Sequence, residues 1–240
     1  MYDPLETDLS KGIMETLMKR CKEESIRIAV IGGWATYLFV NNTYLSAFGK
    51  NYMESRDIDI YFDSAKERGL KKIITGMGFV KDGYRFRWEK IYNSQQKKFV
   101  TEQEAKGEHI FNLIYIFLDL FSDTNTSDLE CWELEPLKRI KIIDINDIDV
   151  ADIDTMIALK CTAMFSRDKA DKENKDACDL YALLVYSSSP FIFTPLLKEG
   201  IEKILNRPDL VYSIATHVLL DSAKQGIVEH TLRSRMRQTP

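Results

Sequence analysis

Ile28-Ala29-Val30-Ile31-Gly32-Gly33-Trp34-Ala35, followed further along by Ser55-Arg56-Asp57-Ile58-Asp59-Ile60-Tyr61-Phe62-Asp63, is the part of this sequence that decides its fold. An apolar, β-branched run ends in two glycines. A second apolar run opens with an Asp-x-Asp pair. Residues i and i+2 of a strand point to the same face, so Asp57 and Asp59 are expected to present two carboxylates side by side. Paired acids repel, and each raises the other's pKa unless a cation lies between them. Magnesium suits such a pair, because it takes hard oxygen ligands and bridges to substrate phosphates. Gly32 and Gly33 allow close backbone approach to a phosphate at a helix start. Together the two runs predict a metal-dependent nucleotide site.

Two further Asp-Ile-Asp triplets weaken a bare Asp-x-Asp as a signal. Asp147-Asp149 and Asp152-Asp154 stand directly before a helical pattern, where acids cap free N–H groups and complement the helix dipole. They are expected to be caps. A third carboxylate commonly completes two-metal phosphoryl-transfer sites. In Ile114-Tyr115-Ile116-Phe117-Leu118-Asp119-Leu120-Phe121, Asp119 is the one charge in an apolar strand. A lone buried carboxylate is costly unless paired or metal-bound. Asp119 is therefore the expected third ligand, with Asp123 as the fallback.

The bulk properties fit this. The 240 residues carry a net charge of -4, which argues against whole-surface nucleic-acid binding and leaves a local basic groove open. Cys21, Cys131, Cys161 and Cys178 form no CxxC pair, so neither a zinc pattern nor a disulfide framework is expected, and reduced thiols in a cytosol fit best. The N-terminus lacks the basic and apolar regions of a signal peptide, and no apolar run reaches membrane-spanning length, so a cytoplasmic protein without membrane contact is expected.

Along the chain, periodicity predicts helices at residues 10–24, 34–40, 64–77, 152–165, 172–186, 194–205 and 209–225. Strands are expected at 27–31, 57–62, 84–88, 109–121 and 140–143. Residues 41–54 read as a loop, 93–106 as an exposed loop, and the basic residues 233–240 as a frayed end. The first half mixes strands and helices and the second is helical. This gives an α+β fold with a mixed central sheet flanked by helices, residues 1–150, followed by a C-terminal helical module, residues 151–240.

These residues resemble the nucleotidyltransferase fold of the DNA polymerase beta superfamily: a strand, a Gly-Gly turn, a downstream Asp-x-Asp and a third Asp on a neighbouring strand. The long interval from Gly33 to Asp57 is most similar to the abortive-infection-type toxin and minimal nucleotidyltransferases. A second block strengthens the likeness. Lys160 and Arg167, followed by Lys175-Asp176-Ala177-Cys178-Asp179-Leu180, resemble that family's helical motif. The resemblance implies nucleotide binding by Gly32, Gly33, Ser55, Lys160, Arg167, Lys175, Asp176 and Asp179, with Lys160 neutralising phosphates. The same spacing also serves a salt-bridged helix pair. Two departures touch substrate placement: Met53 and Ser55 stand where the family often has Arg and Thr, and residues 168–174 lengthen the link after Arg167.

The implied activity is Mg2+-dependent nucleotidyl transfer. Asp57, Asp59 and Asp119 would be catalytic and hold two Mg2+ ions, an NTP would be the donor, and the acceptor hydroxyl would belong to RNA (tRNA in particular), a protein or a small molecule. A toxin-type enzyme with an antitoxin partner fits the likeness. The alternatives are an antibiotic nucleotidyltransferase, a non-catalytic nucleotide- or antitoxin-binding module on the same fold, and a plain interaction protein. His109, His217 and His230 are not at metal-ligand spacing. Tyr84, Phe86 and Trp88 are expected in the core, with Arg85 and Arg87 on the opposite face, where they could meet an acceptor phosphate.

Overall fold

The computed structural model describes residues 2–124, 132–166 and 170–237. Two compact units emerge, one of residues 1–35 and 53–151, the other of residues 36–52 and 152–240. The chain begins with helix α1 (Pro4–Glu23), strand β1 (Ile28–Ile31), helix α2 (Gly32–Phe48) and strand β2 (Ile58–Phe62). Helix α3 (Glu67–Gly76) and strands β3 (Val80–Lys81), β4 (Arg87–Asn93) and β5 (Lys98–Val100) follow. Then come the short helix α4 (Glu102–Ala105) and strands β6 (Leu113–Ser122), β7 (Trp132–Glu133), β8 (Ile142–Ile145) and β9 (Ile148–Ala151).

These strands form one mixed sheet in the order β3-β4-β6-β2-β1-β9-β8, with β5 on β4 and β7 on β6. β2 runs parallel to β6 and antiparallel to β1. The alternation along β2 and β6 sorts their residues. Ile58, Ile60, Leu118 and Leu120 are fully buried, while Asp59 and Asp119 fall on the other face. Helix α1 packs on β6 and α3 and buries Met14, Leu17, Met18 and Cys21. It starts at Asp3, whose carboxylate accepts from the Leu5 amide at 2.8 Å, with Pro4 in the first turn. The mixed sheet with flanking helices, followed by helices, is the α+β architecture that the sequence predicts.

The second unit holds α5 (Ile153–Ser166), α6 (Ala170–Tyr186), α7 (Pro195–Leu205), α8 (Pro208–His217) and α9 (Gln225–Arg237), together with residues 36–48 of α2. α5 packs on α6 and α7, and α8 on α6 and α9. Among the described residues no helix is long and apolar enough to cross a membrane.

Several local expectations are corrected. Residues 41–48 continue α2 instead of looping, because Tyr44 is buried among the rings of Phe48, Tyr52 and Tyr186 and its hydroxyl donates to the Val218 carbonyl at 2.8 Å. Residues 93–106 hold β5 and α4, the latter opened by a reciprocal Thr101–Glu104 capping box. Asp147 and Asp149 are not caps. Asn146 and Asp147, both at positive φ, turn a tight β8–β9 hairpin, and Asp149 lies in β9. Asp152 does cap α5, accepting from the Thr155 amide at 2.8 Å. The helix expected over 209–225 ends at His217, and α9 starts at Gln225. β4 begins only at Arg87, and Tyr84 is well exposed rather than core.

Candidate active site

The site expected from Gly32, Asp57, Asp59 and Asp119 lies within the first unit. Asp59 pairs with Ile31 across β1 and with Asp119 across β6, and Asp119 in turn pairs with Arg87 across β4. Adjacent strands lie about 4.8 Å apart. Asp59, Asp119 and Arg87 therefore form a row on one sheet face. Asp57 sits in the bend one residue before β2.

Gly32 closes this row from β1. Its φ is +68°, in the left-handed region, and a Cβ placed there would stand 1.9 Å from Asp59 Oδ2. Only glycine satisfies both conditions. Since α2 starts at Gly32, the N-terminal end of that helix lies against the Asp59 carboxylate. A helix start with free amides favours negative charge. Gly33 occupies the first turn of α2, and Ser55 is buried just ahead of Asp57.

Arg87 lies on the sheet face opposite the buried Trp88, as expected, and there it meets Asp119, a partner the sequence does not reveal. Its Nε donates to Asp119 Oδ1 at 2.7 Å and its Nη2 to Asp119 Oδ2 at 2.7 Å, a fork-to-fork pair. The Asp119 side chain is 7 % exposed and that of Arg87 17 %. The guanidinium also lies 4.5 Å from the Phe117 ring centroid and 5.7 Å from that of Tyr84. The hydrogen bonds to Asp119 hold the Arg87 pKa above its ordinary value. Burial opposes this, and the charges of Asp119, Asp57 and Asp59 reinforce it. Arg56 is a second basic neighbour. Its Nε meets Asp57 Oδ1 at 3.3 Å, and its guanidinium lies over Tyr2 and Phe117. Phe117 shares a strand face with Asp119, so the bend at Asp57 brings Arg56 to the carboxylate side, contrary to strand alternation.

Each oxygen of Asp119 accepts one hydrogen bond from Arg87 and keeps a second lone pair. Among the described residues no group of three or more His, Cys, Asp or Glu side chains is placed to hold a metal ion.

The second motif block lies in the second unit. Lys160 Nζ donates to Asp179 Oδ2 at 2.5 Å and to Asp176 Oδ1 at 3.2 Å, and the Tyr52 hydroxyl donates to Asp179 Oδ1 at 3.0 Å. Lys160, Asp176 and Asp179 are all buried. Burial works against the ammonium charge, yet the Asp179 and Asp176 carboxylates outweigh it and raise the Lys160 pKa. Burial, then Asp179, pushes the Tyr52 phenol well above its usual value. The salt-bridged helix pair that the spacing equally allowed is what these side chains form. Lys175 is half-buried on α6, and Arg167 lies outside the described residues.

No protein-family model matches the sequence, and no curated protein matches it. Solved structures do. JHP933 from Helicobacter pylori is similar over 99 % of this chain and 96 % of its own, at 15 % identity and a TM-score of 0.55. An antigenic nucleotidyltransferase-like protein from Paracoccidioides brasiliensis matches 88 % of this chain and 94 % of its own, at 14 % identity and a TM-score of 0.49. The lincosamide antibiotic adenylyltransferase LnuA, bound to lincomycin, matches 72 % and 94 %, at 13 % identity and a TM-score of 0.41. The sheet order, the glycine-initiated helix and the aspartate row, together with the whole-chain likeness to JHP933, make this a nucleotidyltransferase fold.

Proposed function

We propose that the chain is a nucleotidyltransferase that moves a nucleoside monophosphate from an NTP to an acceptor hydroxyl. The observation that carries this reading is the row of Asp59 and Asp119 on neighbouring strands, beside the glycine-initiated N-terminus of α2. An anion at that helix start is attracted by its amides. A triphosphate beside Asp57 and Asp59 must bring cations, so the donor is the NTP with its own Mg2+. The acceptor oxygen bonds to the α-phosphorus, the α–β bridging P–O bond breaks, pyrophosphate leaves with the electron pair, and the hydroxyl proton passes to solvent. Arg56, half-exposed beside Asp57, is placed to meet phosphate oxygens on the same sheet face. The acceptor is RNA such as a tRNA, a protein, or a small molecule such as an antibiotic. A toxin-type role with an antitoxin partner belongs to the RNA and protein cases.

One observation favours a second reading, nucleotide binding without turnover: the clamp of Arg87 on Asp119 occupies the third carboxylate. Incubation with each of four α-labelled NTPs, Mg2+ and total tRNA, an aminoglycoside or a lincosamide separates the two. Transfer supports the enzyme. Binding without transfer supports the module. In either case Asp57→Asn with Asp59→Asn should remove the signal, and its retention would reject the site.

A further inference from the structure

A cavity of about 590 Å3 lies within the first unit, between the last turns of α1 and the β8–β9 hairpin. Small-molecule sites run from about 300 to 1,000 Å3. The cavity is lined at Ile28, the end of β1 remote from Gly32, so about 13 Å of strand separates it from the helix start beside Asp59. We propose that it binds a free basic amino acid, lysine or arginine, with the carboxylate toward α1 and the side-chain cation toward the hairpin. Lys19 and Lys22, on one face of α1, supply the basic wall. Asp144 and Asp147 supply the acidic wall, and the buried Met18, Ile26 and Ile28 an apolar floor. Arg27 fastens the two sides. Its Nε lies 3.6 Å from Asp149 Oδ2, and its Nη2 donates to the Ile142 carbonyl at 3.2 Å. The other charges are not neutralised by one another. Among the described residues neither Lys19 nor Lys22 meets a carboxylate, and Asp144 accepts only from the Asp147 amide, at 3.2 Å. Opposite charges held apart around one cavity are complementary to a ligand that carries both. With Glu15 the lining has three such acids against two bases, which favours a ligand of net charge +1. The aliphatic stem of a lysine or arginine suits the apolar floor while its head stays with the acids.

Calorimetric titration of the full chain at low salt tests this, since salt screens exposed charges. The probes are L-lysine, L-arginine, lysinamide, which lacks the carboxylate, and L-norleucine, which lacks the side-chain cation. Lysine or arginine should saturate the chain at one per molecule. Lysinamide and norleucine should each bind at least about tenfold more weakly than lysine. K19E/K22E and D144N/D147N should each weaken the amino acid by at least about tenfold. All four positions are exposed, and asparagine is at ease at the positive φ of residue 147, so both variants should keep the wild-type circular dichroism spectrum. Failure of both amino acids to saturate the wild type would overturn the proposal, as would a smaller loss in either analogue or in either folded variant. The two analogues decide the matter if a variant does not fold. The outcome is independent of nucleotide binding, which engages other residues.

Discussion

Gly32 carries two constraints at one backbone position, a left-handed φ and the Asp59 carboxylate against its α-carbon. Replacing it with alanine should cost about 1–3 kcal/mol from the backbone alone, with the clash against Asp59 added, read as a lower urea midpoint at unchanged slope. Arg87 and Asp119 make a second residue-scale test. Removing one partner of a mostly buried pair leaves the other charge uncompensated, at about 3–5 kcal/mol. Arg87→Leu and Asp119→Leu should each destabilise on that scale, and the double variant should lose less than the sum of the two, as a double-mutant cycle in urea measures. Additive losses would mean that the fork contributes nothing. The glycine and the acids were legible because a diglycine turn and an Asp-x-Asp opening are local patterns. The clamp was not, because which residue of β4 stands opposite Asp119 is set by sheet register, and one strand read alone does not contain it.

At the scale of elements, α5 and α6 are joined by Lys160 reaching Asp176 and Asp179. Lys160→Met leaves two buried carboxylates facing each other and should cost about 3–5 kcal/mol, measured by guanidinium denaturation. The Lys160 pKa is raised on folding, so its contribution is complete below the ordinary lysine value and is lost only as pH rises through the higher folded value. The helices of the second half were legible from their 3.6-residue periodicity. Residues 41–48 were not, since Asn41, Asn42 and Thr43 look like a loop until the burial of Tyr44 is seen. The β8–β9 hairpin was hidden for a related reason: its Asn146-Asp147 turn sits inside an acidic run that also ends in a true cap, Asp152.

For the molecule as a whole, the thiols report on the folded state. Burial pushes Cys21, Cys161 and Cys178 up to about 12. At pH 8 none of the three should react with a disulfide reagent in the native chain, and all should react once it is denatured. Because these values rise on folding, their stabilising contribution is whole below the unfolded thiol value of 9.0 and is lost between there and about 12. Alkaline titration followed by circular dichroism should show stability falling across that window. The most direct measurement of the central claim is label transfer from an α-labelled NTP in the presence of Mg2+ and the acceptor panel, with D57N/D59N alongside. The expected result is labelled acceptor with the wild type and none with the double variant. An equal label in both, or a wild type that neither binds an NTP nor transfers it, would contradict the claim that the carboxylates beside Gly32 form a nucleotide site.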